Sequence, residues 1–354
     1  MPNNFVYQSQ AVRVRFGRKA VEAVPAELMQ HERSRALILC TGSGLDAADR
    51  VRLLAPQRFV DIRLLEKTGD ARERLAAIVG HAKQKNADSL VVIGGGTPIG
   101  FAKTIAATAG IRSVAVVTTY SGSEMASTWS IGAGPDRMAG DDDQALPLTA
   151  IYDPDLTITL HPRTSAASGM NAMAHAVESL YGPDVNPIVE FHAAQAVALL
   201  GANLPRIIDK PGDIAARTDT LYGAWLASAF RAQAGIEHAL AQRVRQAFGL
   251  DHSHCHAIFT PYAIAFNAKA APGAMELIAA ALGDRKKDAG QALYDLNLRL
   301  GLPTGLQALG MNEGDIPKAV EMVAAAKFVN PRPVSHEDIR NLVTQAFRGE
   351  PPRF

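Results

Sequence analysis

The side chains most able to carry chemistry lie in the second half of the chain. The stretch "SGMNAMAHAVESLYGP" places Asn171 and His175 one helical turn apart, and His238 and His252 follow in later segments. Neutral imidazole is the commonest protein ligand of transition metals, so three such histidines could bind a divalent cation. An amide is a poor metal ligand compared with a carboxylate, which argues against a metal at Asn171. Isolated helical histidines are more often surface or core residues, and spacing alone leaves both interpretations open.

A glycine-rich turn suggests a nucleotide. In "VVIGGGTPIGFAKTIA", Gly94, Gly95, Gly96 and Thr97 follow a buried strand and precede a helix that we expect to begin near Pro98. The N–H groups of such a turn and the positive end of the helix dipole bind pyrophosphate, and glycine allows the phosphates to approach closely. The spacing departs from the usual dinucleotide motif, so a strand-to-helix turn without a ligand is the alternative.

A second loop, "VVTTYSGSEMASTW", follows the next strand and is rich in hydroxyl groups. Because ligands of open α/β sheets bind at the carboxyl ends of strands, this loop and the glycine turn could hold one nucleotide between them. An ordinary polar loop is the alternative. The hydroxyl-bearing residues are Thr118, Thr119, Tyr120, Ser121 and Ser123.

The composition is that of a globular protein with a large core. The chain has 354 residues, is 47% hydrophobic and carries a formal net charge of +1. Basic residues are scattered, which excludes an extended nucleic-acid surface, and no apolar run is long enough for a membrane helix. The two cysteines cannot form a disulfide framework, and "MPNNFVYQSQ" lacks the features of a signal peptide. We therefore expect a cytoplasmic protein.

Two domains with different patterns must position these residues. In the first, five β-branched runs at 35–40, 58–65, 89–96, 113–119 and 148–154 alternate with amphipathic helices, as in βαβ units with a parallel sheet. From residue 158 onward, Ala- and Leu-rich segments with helical periodicity follow one another. The sequence predicts an α/β nucleotide-binding domain over residues 1–157 and an all-α domain over residues 158–354.

Several segments together resemble one known family. "GGGTPIGFAKTIA" and "TTYSGSEM" are similar to the two cofactor loops of the iron-dependent alcohol dehydrogenase superfamily, and "AIYDPDLT", "SGMNAMAHAVESLY" and "NPRPVSHEDI" extend the match along the chain. Within the superfamily the chain most closely resembles the maleylacetate reductases. The resemblance implies the iron-containing alcohol dehydrogenase and dehydroquinate synthase-like fold, with a Rossmann-like first domain. It also implies NAD(P)H-dependent reduction of maleylacetate to 3-oxoadipate during the breakdown of aromatic compounds, by a cytoplasmic homodimer.

Carried over residue by residue, the superfamily's metal-ligand positions are Asn171, His175, His238 and His252. Metal-dependent members have Asp at the first position, whereas maleylacetate reductases resemble this chain in having Asn and are regarded as metal-independent. The substitution removes the anionic ligand, so we expect no bound metal.

The reaction is chemically reasonable without a metal. Maleylacetate has a C=C bond conjugated to its ketone, and hydride addition β to the ketone forms an enolate, which hydrogen-bond donors can stabilise. A histidine near its ordinary pKa is a suitable proton donor. The two carboxylates of maleylacetate require hydrogen-bond donors or cations. Catalytic roles are expected for the four metal-position residues and Gln242, and substrate contacts for Tyr120, Arg243 and His256.

Gln242 departs from the pattern, because the family usually has a histidine four residues after His238. A glutamine can donate a hydrogen bond but cannot deliver a proton at neutral pH. The acidic loop 131–147 also differs from the family. Three hypotheses therefore remain. They are a maleylacetate reductase acting on maleylacetate or a substituted form, a metal-free relative with another substrate or non-redox chemistry, and a nucleotide-binding protein without turnover.

The cofactor prediction depends on Thr41, at the end of the first predicted strand. Many NAD-specific relatives have an Asp there that hydrogen-bonds the ribose 2′-hydroxyl. Without that carboxylate a 2′-phosphate is not repelled, so we predict use of NADH with NADPH tolerated.

Overall fold

The computed structural model describes residues 4–66, 68–132, 137–231, 233–284 and 288–354. These residues form two compact units. One unit is Ser9–Leu160, and the other contains His161–Phe354 together with residues 4–8. The first unit ends close to residue 157, where the sequence predicts the domain boundary, but residues 4–8 group with the second unit and not with the first as predicted.

The first unit is built on a six-stranded sheet in the order β1-β8-β5-β4-β2-β3, in which every neighbouring pair is parallel. A separate antiparallel hairpin pairs β6 with β7. The strands are β1 (Arg13–Phe16), β2 (Ala36–Cys40), β3 (Phe59–Leu64), β4 (Ser89–Gly94), β5 (Ser113–Val117), β6 (Thr128–Ile131), β7 (Met138–Asp141) and β8 (Thr149–Tyr152).

Burial explains which strands the sequence reveals. All residues of β2, β4, β5 and β8 are buried, as expected for central parallel strands covered on both faces, and their sequences are continuous apolar runs. The five predicted strands are confirmed. The edge strand β1 alternates exposed and half-buried residues, and it was not predicted because its "RVRF" sequence has no apolar run.

Four helices complete the first unit: α1 (Val24–Gln30), α2 (Leu45–Leu54), α3 (Ala71–Gln84) and α4 (Gly96–Ala109). Asp70 starts α3, because its carboxylate accepts the N–H groups of Arg72 and Glu73 at 2.9 Å. Helix α4 begins at Gly96, slightly earlier than the predicted Pro98.

The regular elements among the described residues of the second unit are all helices, as predicted. Helix α5 packs against α6, α7 and α9, while α8, α9, α12 and α13 enclose a second apolar core. No described helix has the length and apolar character needed to cross a membrane. The helices are α5 (Pro162–Ser179), α6 (Pro187–Asp209), α7 (Ile214–Ser228), α8 (Ile236–Phe248), α9 (His252–Asn267), α10 (Pro272–Ala281), α11 (Ala289–Arg299), α12 (Ile316–Ala324) and α13 (His336–Arg348).

Candidate active site

Three helices of the second unit bring the predicted histidines together. His175 lies on α5, His238 on the first turn of α8, and His252 and His256 on α9, which packs against both other helices. Asp251 caps α9 by accepting the N–H of His254 at 3.0 Å. The cap makes His252 the first residue of α9, so His252 and His256 face the same side one turn apart.

The four imidazole rings form one continuous cluster, which we call the histidine cluster (His175, His238, His252 and His256). Ring centroids are 4.3 Å apart for His175 and His238, 4.9 Å for His238 and His256, and 4.6 Å for His252 and His256. The sequence prediction that these distant segments meet at one site therefore agrees with the geometry.

A buried carboxylate that the sequence analysis did not single out lies beneath the cluster. Glu178 Oε2 accepts the Nδ1–H of His238 at 2.6 Å and the N–H of Gly235 at 2.9 Å, while Oε1 accepts the N–H of Glu237 at 2.9 Å. Glu178 is seven residues after Asn171, or two helical turns, so the helical periodicity that linked Asn171 to His175 could have identified it.

A second buried carboxylate, Glu237, contacts two rings. Its Oε1 accepts the Nδ1–H of His256 at 3.0 Å, and its Oε2 lies 3.0 Å from His238 Nδ1. Thr260 Oγ1 also donates to Oε1, at 3.3 Å. No periodic signal marks Glu237, because it faces His256 only once α8 has packed against α9.

Exposure divides the cluster into two layers. Glu178, Glu237, His238 and His256 are buried, with His256 only 1% exposed, whereas His175 and His252 are half-buried. The outer pair is therefore accessible to a ligand, and the inner pair connects it to the carboxylates.

The pKa values follow from these neighbours. Burial lowers the pKa of His238, but the carboxylates of Glu178 and Glu237 outweigh burial and raise it to about 10. Burial and the His238 and His256 rings hold the pKa of His175 well below its ordinary value. Burial, with His256 and Arg245, lowers the pKa of His252 to about 3. A charged inner ring therefore lies beside neutral outer rings.

This charge pattern assigns the hydrogen on His175. Charged His238 donates through both ring nitrogens, and its Nε2 lies 3.0 Å from His175 Nδ1. His175 then accepts at Nδ1 and carries its own hydrogen on Nε2. The outer layer thus presents an N–H donor that can stabilise an oxyanion.

The donor set does not fit the superfamily's metal site. Its four positions hold the amide of Asn171 and three imidazoles, with no anionic group. The nearby carboxylate of Glu178 already accepts three N–H groups, and that of Glu237 accepts the Nδ1–H of His256. Glu237, His238 and His256 also bring ligand atoms within 4.8 Å of one another, and hydrogen bonds already join these atoms.

The other predicted residues of the second unit differ in accessibility. Asn171 is 2% exposed on α5, on the same face as His175. Gln242 is exposed on α8, one turn after His238, and Arg243 beside it is half-buried. Gln242 can therefore meet a ligand at the surface of the unit, whereas Asn171 lies in the interior.

In the first unit, the two predicted cofactor loops are in direct contact. Gly94 has a φ of 150°, a conformation that favours glycine, and its carbonyl accepts the N–H of Thr118 at 3.1 Å. A Cβ on Gly95 would overlap the side chain of Thr119. Glycine at these positions is required for the close approach of the loops.

The start of α4 leaves space for a phosphate. Gly96 and Thr97 are exposed, and a Cβ on Gly96 would have Ser121 Oγ, 4.0 Å away, as its nearest neighbour. The first N–H groups of a helix have no partner within the helix, so these residues fit the pyrophosphate of a dinucleotide.

Thr41 and Ser123 lie in the loops on either side of this turn. Thr41 follows β2, the neighbour of β4, and its Oγ1 is 3.1 Å from Ser43 Oγ. The carbonyl of Ser123 accepts the ammonium of buried Lys103 at 2.8 Å, which ties the second loop to α4. The three loops therefore occupy the carboxyl ends of adjacent strands.

Two expectations are affected by the structure. The ring of Tyr120 is fully buried, so its predicted contact with substrate does not match its position in the unit. Of the loop 131–147, residues 133–136 lie outside the described residues, and the remainder includes the last residue of β6 and all of β7.

Comparison with known proteins assigns the chain to a class. It belongs to the iron-containing alcohol dehydrogenase family: the model "Iron-containing alcohol dehydrogenase" matches residues 11–154, and "Fe-containing alcohol dehydrogenase family, C-terminal" matches residues 165–347. The chain is an NAD(P)H-dependent oxidoreductase of this family.

Within the family the chain is similar along its whole length to maleylacetate reductases. It is 40% identical to maleylacetate reductase 2 of Cupriavidus pinatubonensis, covering 99% of this chain and 98% of the relative. It is 36% identical to a Pseudomonas maleylacetate reductase, covering 99% of both. The crystal structure of maleylacetate reductase from Agrobacterium tumefaciens superposes with a TM-score of 0.93 at 31% identity, covering 99% of this chain and all of that one. The predicted resemblance and fold are confirmed.

Proposed function

We propose that the protein reduces the C=C bond of maleylacetate, or of a substituted maleylacetate, to give 3-oxoadipate or its derivative. Full-length similarity to maleylacetate reductases supports this substrate. The observation that carries the proposal is the histidine cluster, which retains three of the superfamily's metal-position histidines beside Asn171 and adds His256. Such a site offers hydrogen-bond donors to an enolate and to carboxylates.

A bound nicotinamide would supply the hydride, which the carbon β to the ketone receives. The half-buried rings of His175 and His252 are placed to donate to the enolate oxygen or to a substrate carboxylate. Gln242 and Arg243 on α8 are further candidates for a carboxylate contact. Transfer of a proton, ultimately from water, to the carbon beside the ketone completes the reduction.

The decisive experiment follows NADH oxidation with maleylacetate and identifies the product by mass spectrometry. NADH with deuterium at its transferable position should leave one deuterium on the carbon β to a ketone that is retained. Reduction of the carbonyl to an alcohol, or oxidation of NADH only with simple aldehydes, would contradict the proposal.

The cofactor proposal is NADH with NADPH tolerated. Thr41 and Ser43 present hydroxyl groups where a carboxylate would repel a 2′-phosphate. Kinetics with both cofactors test this, and a preference for NADH of about a hundredfold, roughly 2.7 kcal/mol, would contradict it.

We further propose that the protein acts as a cytoplasmic homodimer on a small dicarboxylate. Two free, buried cysteines, Cys40 and Cys255, are compatible with a reducing compartment. Light scattering coupled to gel filtration measures the oligomeric state, and a monomer at assay concentration would contradict the homodimer.

The acidic loop 131–147 and Gln242 favour a second candidate. This candidate is a metal-free relative that acts on another conjugated keto acid. A panel of enones and keto acids distinguishes it, because that candidate predicts faster NADH oxidation with a compound other than maleylacetate.

A further inference from the structure

One carboxylate in the inner layer contacts two histidine rings that come from different helices. We propose that Glu237 is a positioning residue of the reductase, which fixes the orientation and tautomer of His256 and helps to fix those of His238. The expected effect on kcat rests on the proposed function, whereas the expected effect on the His256 tautomer can be tested without it.

An ionised carboxylate such as that of Glu237 only accepts hydrogen bonds. Glu237 Oε1 and Oε2 lie 3.0 and 3.1 Å from His256 Nδ1, and Oε2 lies 3.0 Å from His238 Nδ1. Each Nδ1 that faces this carboxylate must carry a hydrogen, whether the ring is neutral or charged. The Nε2 atoms of both rings then lie on the sides away from Glu237.

The carboxylates of Glu178 and Glu237 are not equivalent in the rings that they hold. Glu178 holds His238 Nδ1 at 2.6 Å, so His238 keeps an acceptor if Glu237 is changed. Among the described contacts of His256 Nδ1, the acceptor is Glu237. The orientation of His256 therefore depends on Glu237 far more than that of His238 does.

The buried ring of His256 lies next to the accessible rings of His252 and His175. The His256 ring lies 4.6 Å from the ring of half-buried His252 in an edge contact, and 6.3 Å from His175. A His256 ring that turns about its Cβ–Cγ bond or changes tautomer presents a different atom to both neighbours. Glu237 thus acts on the substrate side of the cluster through His256.

The experiment compares Glu237→Gln with Glu237→Asp. Glutamine keeps the shape but replaces one acceptor oxygen by an NH₂ group, which in either amide orientation places a donor 3.0 or 3.1 Å from His256 Nδ1. We expect kcat to fall roughly 10–100-fold in Glu237→Gln, by analogy with residues that orient metal-bound histidines. The Kd for NADH should be unchanged. Aspartate is shorter but only accepts, so Glu237→Asp should lose less activity than Glu237→Gln.

A role in packing alone predicts the reverse order, because glutamine matches the volume of glutamate and aspartate does not. A kcat of Glu237→Gln equal to or higher than that of Glu237→Asp would therefore overturn the proposal. The control is Glu321→Gln, at a 73% exposed side chain on α12, which should match the wild type.

A spectroscopic measurement separates this inference from the proposed function. In protein labelled with ¹⁵N-histidine, the nitrogen chemical shifts of His256 should show a hydrogen on Nδ1 in the wild type and in Glu237→Asp. These shifts should change in Glu237→Gln. His256→Asn identifies the signal. If the wild type does not reduce maleylacetate, the proposed function fails while the tautomer still tests the inference. An unchanged His256 signal in Glu237→Gln would overturn the inference even if maleylacetate is the substrate.

Discussion

His238 Nδ1 lies 2.6 Å from Glu178 Oε2, and the same carboxylate accepts the backbone N–H groups of Gly235 and Glu237. One buried side chain of α5 therefore fixes both an imidazole ring and the backbone at the start of the helix that carries it. Glycine at 235 permits this approach, because a Cβ there would overlap the Glu178 carboxylate.

Glu178→Gln should therefore destabilise the fold as well as reduce turnover. A glutamine NH₂ cannot accept any of the three N–H groups, so at least one buried donor loses its partner, which costs roughly 1–3 kcal/mol. Urea denaturation should show this loss of unfolding free energy. Glu276→Gln, at an exposed position of α10, is the matched control. A Glu178→Gln variant as stable as the wild type would show that the carboxylate charge is not needed.

Asn171→Asp should increase the affinity of the site for a divalent cation. The change restores an anionic ligand beside His175, which Zn²⁺ and Fe²⁺ sites commonly include. Calorimetric titration with Zn²⁺ should detect tighter binding than in the wild type, with Asn171→Ala as the control. The wild type should keep its reductase activity after dialysis against a chelator. Stoichiometric iron or zinc in the active wild type would contradict a metal-free reaction.

Gly96→Ala should weaken NADH binding without destabilising the protein. Its Cβ would meet no protein atom nearer than Ser121 Oγ at 4.0 Å, so only a bound cofactor would be obstructed. We expect the Kd for NADH, measured by fluorescence, to rise about tenfold, which corresponds to about 1.4 kcal/mol.

Gly80→Ala is the matched control for this change, because Gly80 lies within α3 and a Cβ there meets nothing within 4 Å. It should leave NADH binding unchanged and stabilise the helix by roughly 0.5–1 kcal/mol. Unchanged NADH binding in Gly96→Ala would place the pyrophosphate elsewhere.

Glu124→Gln should change how stability depends on pH. Burial raises the pKa of Glu124, and this outweighs the hydrogen bond from Tyr152 and the charge of Lys103. The folded protein thus binds this proton more tightly than the unfolded chain does. The contribution of Glu124 to stability is greatest below the ordinary pKa of 4.5 and is lost as pH rises through the raised pKa.

Denaturation at several pH values tests this prediction. The stability of Glu124→Gln relative to the wild type should increase as the pH rises above the ordinary carboxyl pKa of 4.5, because the folded protein still holds the proton there. Glu22→Gln, at an exposed carboxylate of the same unit, should show no such trend. A constant difference across this range would mean that Glu124 titrates at its ordinary pKa.

The histidines of the site were predicted from the sequence, whereas its two buried carboxylates were not. His175, His238 and His252 were predicted to meet from the family resemblance, and Glu178 was available from its helical spacing to Asn171. Glu237 was not available, because its contact with His256 joins α8 to α9. Tyr120 carries a hydroxyl in a polar loop, yet its ring is fully buried, and no pattern in that loop indicates which side chains turn inward.

The sequence by itself determined five strands of the main sheet, the helical second domain, the glycine turn and the loss of the anionic ligand at Asn171. These features are local: apolar runs, helical periodicity, backbone freedom at glycine and the chemistry of one side chain. Only the tertiary structure decided that Glu178 and Glu237 lie under the histidine cluster and that His238 is charged while His175 is neutral. Charge and tautomer depend on burial and on partners from other helices, which become neighbours only when those helices pack.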